Sequence, residues 1–185
     1  MIHFLKSLQI ISDSELEKLN GFTENRILKK NDFLIKEGNI CNEIVFIKRG
    51  IVRSFYTNTE GNEITKCIAF ENELASAYSS FITQEPTFEN IQALCDTELI
   101  VLKRKDLFYL YENSLEWQAA GRFLTEMEYI KTENRAVSFQ KQTAKERYDS
   151  LVENHSKFIK YIPLKYLSSY LGITSRHLSR LRKTN

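Results

Sequence analysis

The chain has 185 residues, of which 42% are hydrophobic and 27% charged, with a formal net charge of +2. That length suits one large domain or two small ones, and the composition excludes a disordered chain. Its apolar runs fall far short of the roughly 18 residues a membrane-spanning helix needs, and the N-terminal MIHFLKSLQIISDSELEKL lacks the pattern of a signal peptide, so a cytoplasmic protein without membrane contact is expected.

Taken in chain order, SDSELEKLN (residues 12–20) opens like a helix, with Ser12 or Ser14 as its cap and acids in the first turn. Residues 26–104 read as strands. FLIKEG (33–38), EIVFIKRG (43–50), IVRSFYTNTEG (51–61), EITKCIAF (63–70) and FENIQALCDTELIVLKR (88–104) are rich in β-branched and aromatic residues. Gly38, Gly50 and Gly61 stand where three of these runs stop, which suits tight reversals. Short strands with regular turn signals predict an antiparallel sandwich or barrel.

From Asp106 the period changes. KDLFYLYEN predicts a short helix, and the proline-free 114–139 segment predicts a long one. Along it Phe123, Met127, Ile130, Asn134 and Val137 recur at spacings of 4, 3, 4 and 3, a coiled-coil-like seam with one polar member. The seam fits self-association, whereas Trp117 and Phe123 would also suit packing of this helix on its own β-domain.

Three helical segments are expected after residue 143. TAKERYDSLVENH (143–155) has Tyr148, Leu151 and Val152 on one face, and Pro163 marks the start of the next helix. Leu164, Leu167 and Leu171 share a face, Ser168 is small enough for close approach, and Gly172 suits a left-handed helix end. Thr174 can cap the last helix, in which Leu178 and Leu181 face inward. Arg176, Arg180 and Lys183 then fall on the opposite face, flanked by Ser175, His177 and Ser179. This is the division a helix-turn-helix needs: leucines dock the second helix, and arginines and serines reach base edges in the major groove. Lys157, Lys160 and Lys165 would serve phosphates. A solvated cationic face would show the same spacing.

Charge favours the nucleic-acid reading. From Lys141 to Asn185 ten basic residues face three acidic ones, a balance of +7, while the other 140 residues carry 16 basic and 21 acidic groups, or −5. A basic module on an acidic body points to a polyanionic partner. Cys41, Cys67 and Cys95 are unclustered and His3, His155 and His177 complete no metal-ligand spacing, so free thiols and no metal are expected. The chain shows no catalytic triad and no Gly-rich phosphate loop, and Glu71 and Glu73 form only a lone pair of carboxylates at strand spacing, so an enzyme is not expected.

LIKEGNICNEIVFIKRG (34–50), FENELAS (70–76), TAKERYDSLV (143–152) and IPLKYLSSYLGITSRHLSRLRK (162–183), in this order, resemble the CRP/FNR family of bacterial transcription regulators over nearly the whole chain. The resemblance implies an α+β fold: an antiparallel β-roll sensor over 1–110, a long dimerisation helix over 111–139 and a helix-turn-helix DNA-binding domain over 140–185. It implies a homodimer on double-stranded DNA with a palindromic operator, and RNA polymerase as a further partner. It places the effector pocket at Asn72, Glu73, Leu74, Ala75, Thr87 and Phe88. Members that bind cyclic nucleotides carry a glycine–glutamate pair and an arginine for the cyclic phosphate. Here Asn72 stands for the glycine, Glu73 is kept, and Thr87 stands for the arginine. No Lys or Arg occurs from 67 to 102, so cyclic nucleotides are not expected to bind. The cavity is left to another ligand or to a structural role, and a ligand-binding roll without DNA-binding activity is the alternative. The family's iron–sulfur cysteine cluster is missing, and its wing, a hairpin after the recognition helix, would fall where the sequence stops at Asn185, so either the wing is missing or the sequence is truncated.

Overall fold

The computed structural model describes residues 1–183, apart from the side chains of Lys157 and Phe158. Two short helices, α1 (Ile2–Ser7) and α2 (Asp13–Glu17), and a 3-10 turn (Lys18–Gly21) precede the sheets. Ser12 takes the N-cap position of α2, but its hydroxyl caps nothing there. Its N–H instead donates to the Glu116 carboxylate at 2.7 Å, tying the N-terminal segment to a distant helix.

Among the described residues the strands are β1 (Thr23–Leu28), β2 (Phe33–Ile35), β3 (Glu43–Arg49), β4 (Ile51–Thr57), β5 (Glu63–Phe70), β6 (Leu74–Ala75), β7 (Asn90–Ala93) and β8 (Thr97–Lys103). They pair antiparallel in two four-stranded sheets, ordered β1-β8-β3-β6 and β2-β7-β4-β5, with the short helix α3 (Tyr78–Thr83) between β6 and β7. The first half of the strand at Thr23–Leu28 lies ahead of the expected β-zone. Its sequence, TENRIL, has little alternation, and what makes it a strand is its register against β8 and the Arg26–Glu43 ion pair. Gly50, at φ +119, turns β3 into β4 where a Cβ would run into Thr97.

Alternation puts Val45, Ile47, Val52, Ala69, Ile91, Ala93, Leu99 and Val101 between the sheets. Leu16 and Leu19 close this core at one end, and Leu107, Leu110, Trp117 and Ala120 close it from the helices. Those helices are α4 (Arg104–Asn113) and α5 (Leu115–Lys141). The boundary expected at residue 110 therefore falls inside α4, and the long helix runs two residues beyond 139.

Then come α6 (Ala144–Ile159), α7 (Leu164–Leu171) and α8 (Ser175–Leu181). Thr143 starts α6 with a capping box: its N–H and hydroxyl donate to Glu146 at 2.7 and 2.8 Å, and the Glu146 N–H returns to Thr143 Oγ1. These bonds hold the Glu146 carboxyl below its usual range. His155, where the sequence pattern ended the segment, is instead a kink (φ −137, ψ 31). A second core forms here. Ile51, Ile68, Phe70 and Leu94, on the outer face of the β2-β7-β4-β5 sheet, pack with Tyr148, Leu151, Ile159, Ile162, Leu167, Leu171 and Leu178. The C-terminal helices are thus docked on the roll.

Candidate nucleic-acid interface and effector site

The terminal helices are built by their leucines. Pro163 sits at the N-cap of α7, one position before its first turn. Leu167 and Leu171 are buried, Leu164 and Leu181 half-buried, and Leu178 fully buried. Gly172 ends α7 at φ +68 with a Cβ position 2.7 Å from the Phe139 ring, so both conformation and space require glycine. The Thr174 hydroxyl accepts from the His177 N–H at 3.2 Å and caps α8. Ser168 and Ser175 hydroxyls meet at 3.0 Å where the two helices touch.

With α8 docked this way, Thr174, Arg176, His177, Arg180 and Lys183 are exposed. Ser179 is half-buried and Ser175 is turned into the helix junction. Lys160 and Lys165 are exposed on the same domain. The side chain of Lys157, and the last two positions where a wing would begin, lie outside the described residues.

Along α5 the first turns pack on the roll through Trp117 and Ala120. Phe123, Met127, Ile130, Asn134 and Val137 are all exposed, Met127 at 47%. Trp117 and Phe123 therefore do different things: the indole belongs to the core, the phenyl to the seam. The C-terminal part of α5 turns to the helical domain, where Arg135 donates to the Tyr170 carbonyl at 2.8 Å and stacks on its ring at 3.8 Å.

The residues expected at the effector pocket lie in two places. Asn72, at φ +70, fills the glycine position in a left-handed turn, and its N–H donates to the Ile47 carbonyl at 2.8 Å. Glu73 closes the same turn, its carboxylate accepting from the Phe70 N–H at 2.9 Å. Leu74 and Ala75 pair with Phe46 and Val45. Thr87 is buried, and its hydroxyl accepts from the Glu89 N–H at 3.1 Å. Phe88 is 53% exposed, edge-on to Tyr56 and beneath the Lys66 ammonium.

Sequence reasoning missed Glu89. Its side chain is only 2% exposed, accepts from the Ser54 hydroxyl, and pairs with Lys66 at 2.9 Å. Lys66, 44% exposed, is the extra residue of a β-bulge: Cys67 faces Ser54, Thr65 faces Phe55, and nothing faces Lys66. The signal was present in the alternation, since Glu89 shares its inward face with Ile91 and Ala93.

Around this junction Phe70 stacks on His155 at 4.0 Å. Burial lowers the His155 imidazole from its usual range; the Glu73 carboxylate opposes this and the Lys131 ammonium adds to it. Burial also raises the Cys67 and Tyr170 groups nearby. Two surface concavities, one lined by Tyr78, Tyr111, Gly121 and Thr125, the other by residues 33–36 and 39–43, include none of the six expected pocket residues in their linings, although the Asn39 carbonyl of the second accepts from the Thr87 N–H at 2.8 Å. Among the described residues no three His, Cys, Asp or Glu side chains group as metal ligands, and no helix is long and apolar enough to cross a membrane.

Comparison with known proteins agrees with this architecture. Residues 25–114 match the family model of the cyclic nucleotide-binding domain. No curated protein matches the sequence. FixK2 from Bradyrhizobium japonicum is similar in structure, with a TM-score of 0.76 and 16% identity over 88% of this chain and 83% of that one. A protein from Eubacterium rectale assigned to the crp/fnr family gives 0.71 and 17%, over 96% and 84%. Catabolite Activator Protein from Thermus thermophilus gives 0.60 and 17%, over 94% and 83%. The family match thus covers most of the β-roll. Roll, long helix and terminal helices together have the fold seen in CRP/FNR-type regulators.

The His155 contact can be tested by pH. The folded chain takes up that proton less readily than the unfolded chain, whose histidine titrates near 6.5. Stability should therefore fall as pH drops from about 7 toward about 5. Urea unfolding midpoints across that interval should fall less steeply in His155→Phe, which keeps an aromatic ring on Phe70 without the titration.

Proposed function

We propose that this protein is a cytoplasmic, sequence-specific DNA-binding transcription regulator, acting as a homodimer on a two-fold operator and not as an enzyme. The observation that carries the reading is the burial of Leu178 behind a face where Arg176, His177, Arg180 and Lys183 are exposed. Arginine can donate two bonds to guanine O6 and N7, and α8 presents two arginines one turn apart. The +7 balance of the C-terminal segment supports binding to a polyanion. The fold shared with FixK2 and Catabolite Activator Protein supports the same reading, with RNA polymerase as a further partner. Arg176→Ala and Arg180→Ala should each weaken binding to a selected palindromic site by about 1–3 kcal/mol in gel shifts. Wild-type affinity in both variants would reject this face.

The exposed seam of Phe123, Met127, Ile130, Asn134 and Val137 supports a parallel pairing of two α5 helices. Ile130→Glu places like charges across that pairing. Sedimentation should then show a monomer, with loss of binding to the full operator.

The roll is read as one that does not take a cyclic nucleotide. Thr87 offers no charge for a phosphate, and the nearby buried Glu89 carboxylate is a like charge whose lysine is already engaged. Calorimetric titration with cAMP or cGMP should give no binding heat at micromolar ligand. A saturable micromolar isotherm would overturn this part of the reading.

A further inference from the structure

Strands β4 and β5 face two neighbours. Their inward side chains, Val52 and Ala69 among them, belong to the roll core, and their outward side chains meet the helical domain. On the outward side Arg53 is completely buried. Its guanidinium lies 4.1 Å from the Phe55 ring centre and 3.8 Å from the ring centre of Tyr166 on α7. Nε donates to Thr65 Oγ1 at 2.9 Å, and Nη1 to Glu63 Oε2 at 2.8 Å. Beside it the Thr65 N–H donates to Ser169 Oγ on α7 at 2.9 Å. β5 is the edge of its sheet, so Ser169 satisfies a backbone donor that would otherwise face solvent.

The roll supplies the polar partners of Arg53, and α7 supplies only the lid. If α7 lifts, Arg53 returns to water with Glu63 still at hand, because that carboxylate is 35% exposed. The contact is therefore separable without leaving a buried charge unpaired. The helical domain keeps other ties, since Arg135 holds the Tyr170 carbonyl and Arg147 the Leu171 carbonyl at 3.0 Å. Loss of the Arg53 contact would loosen α7 at the edge of the sheet, while the second core keeps the domain docked and folded.

We propose that Arg53 is a positioning residue for DNA binding: clamped on Tyr166, it sets the angle at which α7 and α8 stand on the roll, and so the separation of the two recognition helices in a dimer. The proposal rests on the DNA-binding reading above. It concerns a contact about which the DNA-facing residues themselves say nothing.

The test uses the full chain as wild type, Arg53→Ala, Arg53→Lys and Tyr166→Leu, the last removing the lid from the other side. Hydrogen exchange needs no DNA. All three variants should exchange faster at residues 63–66 and 164–171, with β1, β3 and β8 unchanged. Arg53→Lys should not rescue, because an ammonium cannot stack flat between two rings while donating to Thr65 and Glu63. Binding is then compared on a two-fold operator and on a single half-site. Affinity for the full operator should fall about tenfold and half-site affinity should stay the same, since only the former depends on the relative placement of two helices. Unchanged exchange, or equal losses on both DNAs, overturns the proposal. If wild type binds neither DNA, the regulator reading fails, and with it any role of Arg53 in DNA binding, while the exchange data still report whether Arg53 holds α7.

Discussion

Strands β4 and β5 are buried on both faces, and the position of every other part follows from that. Ile51 and Val52 are neighbours in sequence, each 1% exposed, yet they belong to different cores. In a strand adjacent side chains point to opposite faces. One strand pair therefore serves as the wall of the roll and as the floor under the C-terminal helices. A sheet with one solvated face would read as alternating polar and apolar residues. Here IVRSF and CIAF are nearly continuous in hydrophobic or fully enclosed residues, as expected where helices cover the second face.

Polar groups on these strands are handled in two ways. Outward, Arg53 is enclosed by aromatic rings and bonded to Thr65 and Glu63. Inward, Glu89 is enclosed with Ser54 and Lys66. Both charges are paired and hydrogen-bonded as burial requires, although Arg53 Nη2 is buried without a hydrogen-bond partner. They lie back to back, because Ser54 follows Arg53 and Lys66 follows Thr65. Lys66 is the unpaired residue of the bulge in β5, and it reaches Glu89 while keeping 44% of its side chain exposed.

The long helix α5 joins the two cores in a different manner. Its first turns are anchored by Trp117 and Ala120, and its last turns by Arg135 and Phe139 against Tyr170 and Gly172. Between these anchors it presents an apolar seam to solvent. A seam of that kind on an otherwise polar helix matches the proposed pairing of two copies, and the anchors at both ends would carry the geometry of that pairing to roll and reading head alike.

Much of this was legible in the sequence, because it depends on local periodicity. The leucine spacing from 164 to 181, the Gly172 turn and the Thr174 cap follow from helix geometry and capping chemistry within some twenty residues. The strand runs, the 4-3 seam and the charge split between body and C-terminal segment are likewise visible without coordinates. What the tertiary structure alone decided depends on partners distant in the chain. Strand β1 exists through its pairing with β8, Ser175 is drawn into the junction by Ser168, and His155 becomes a kink at its stack on Phe70. Arg53 looks like an ordinary surface charge in sequence, and the alternation that places Glu89 with Ile91 and Ala93 does not name its partners. A helix more than a hundred residues away covers the first, and Ser54 and Lys66, from two strands, bond the second.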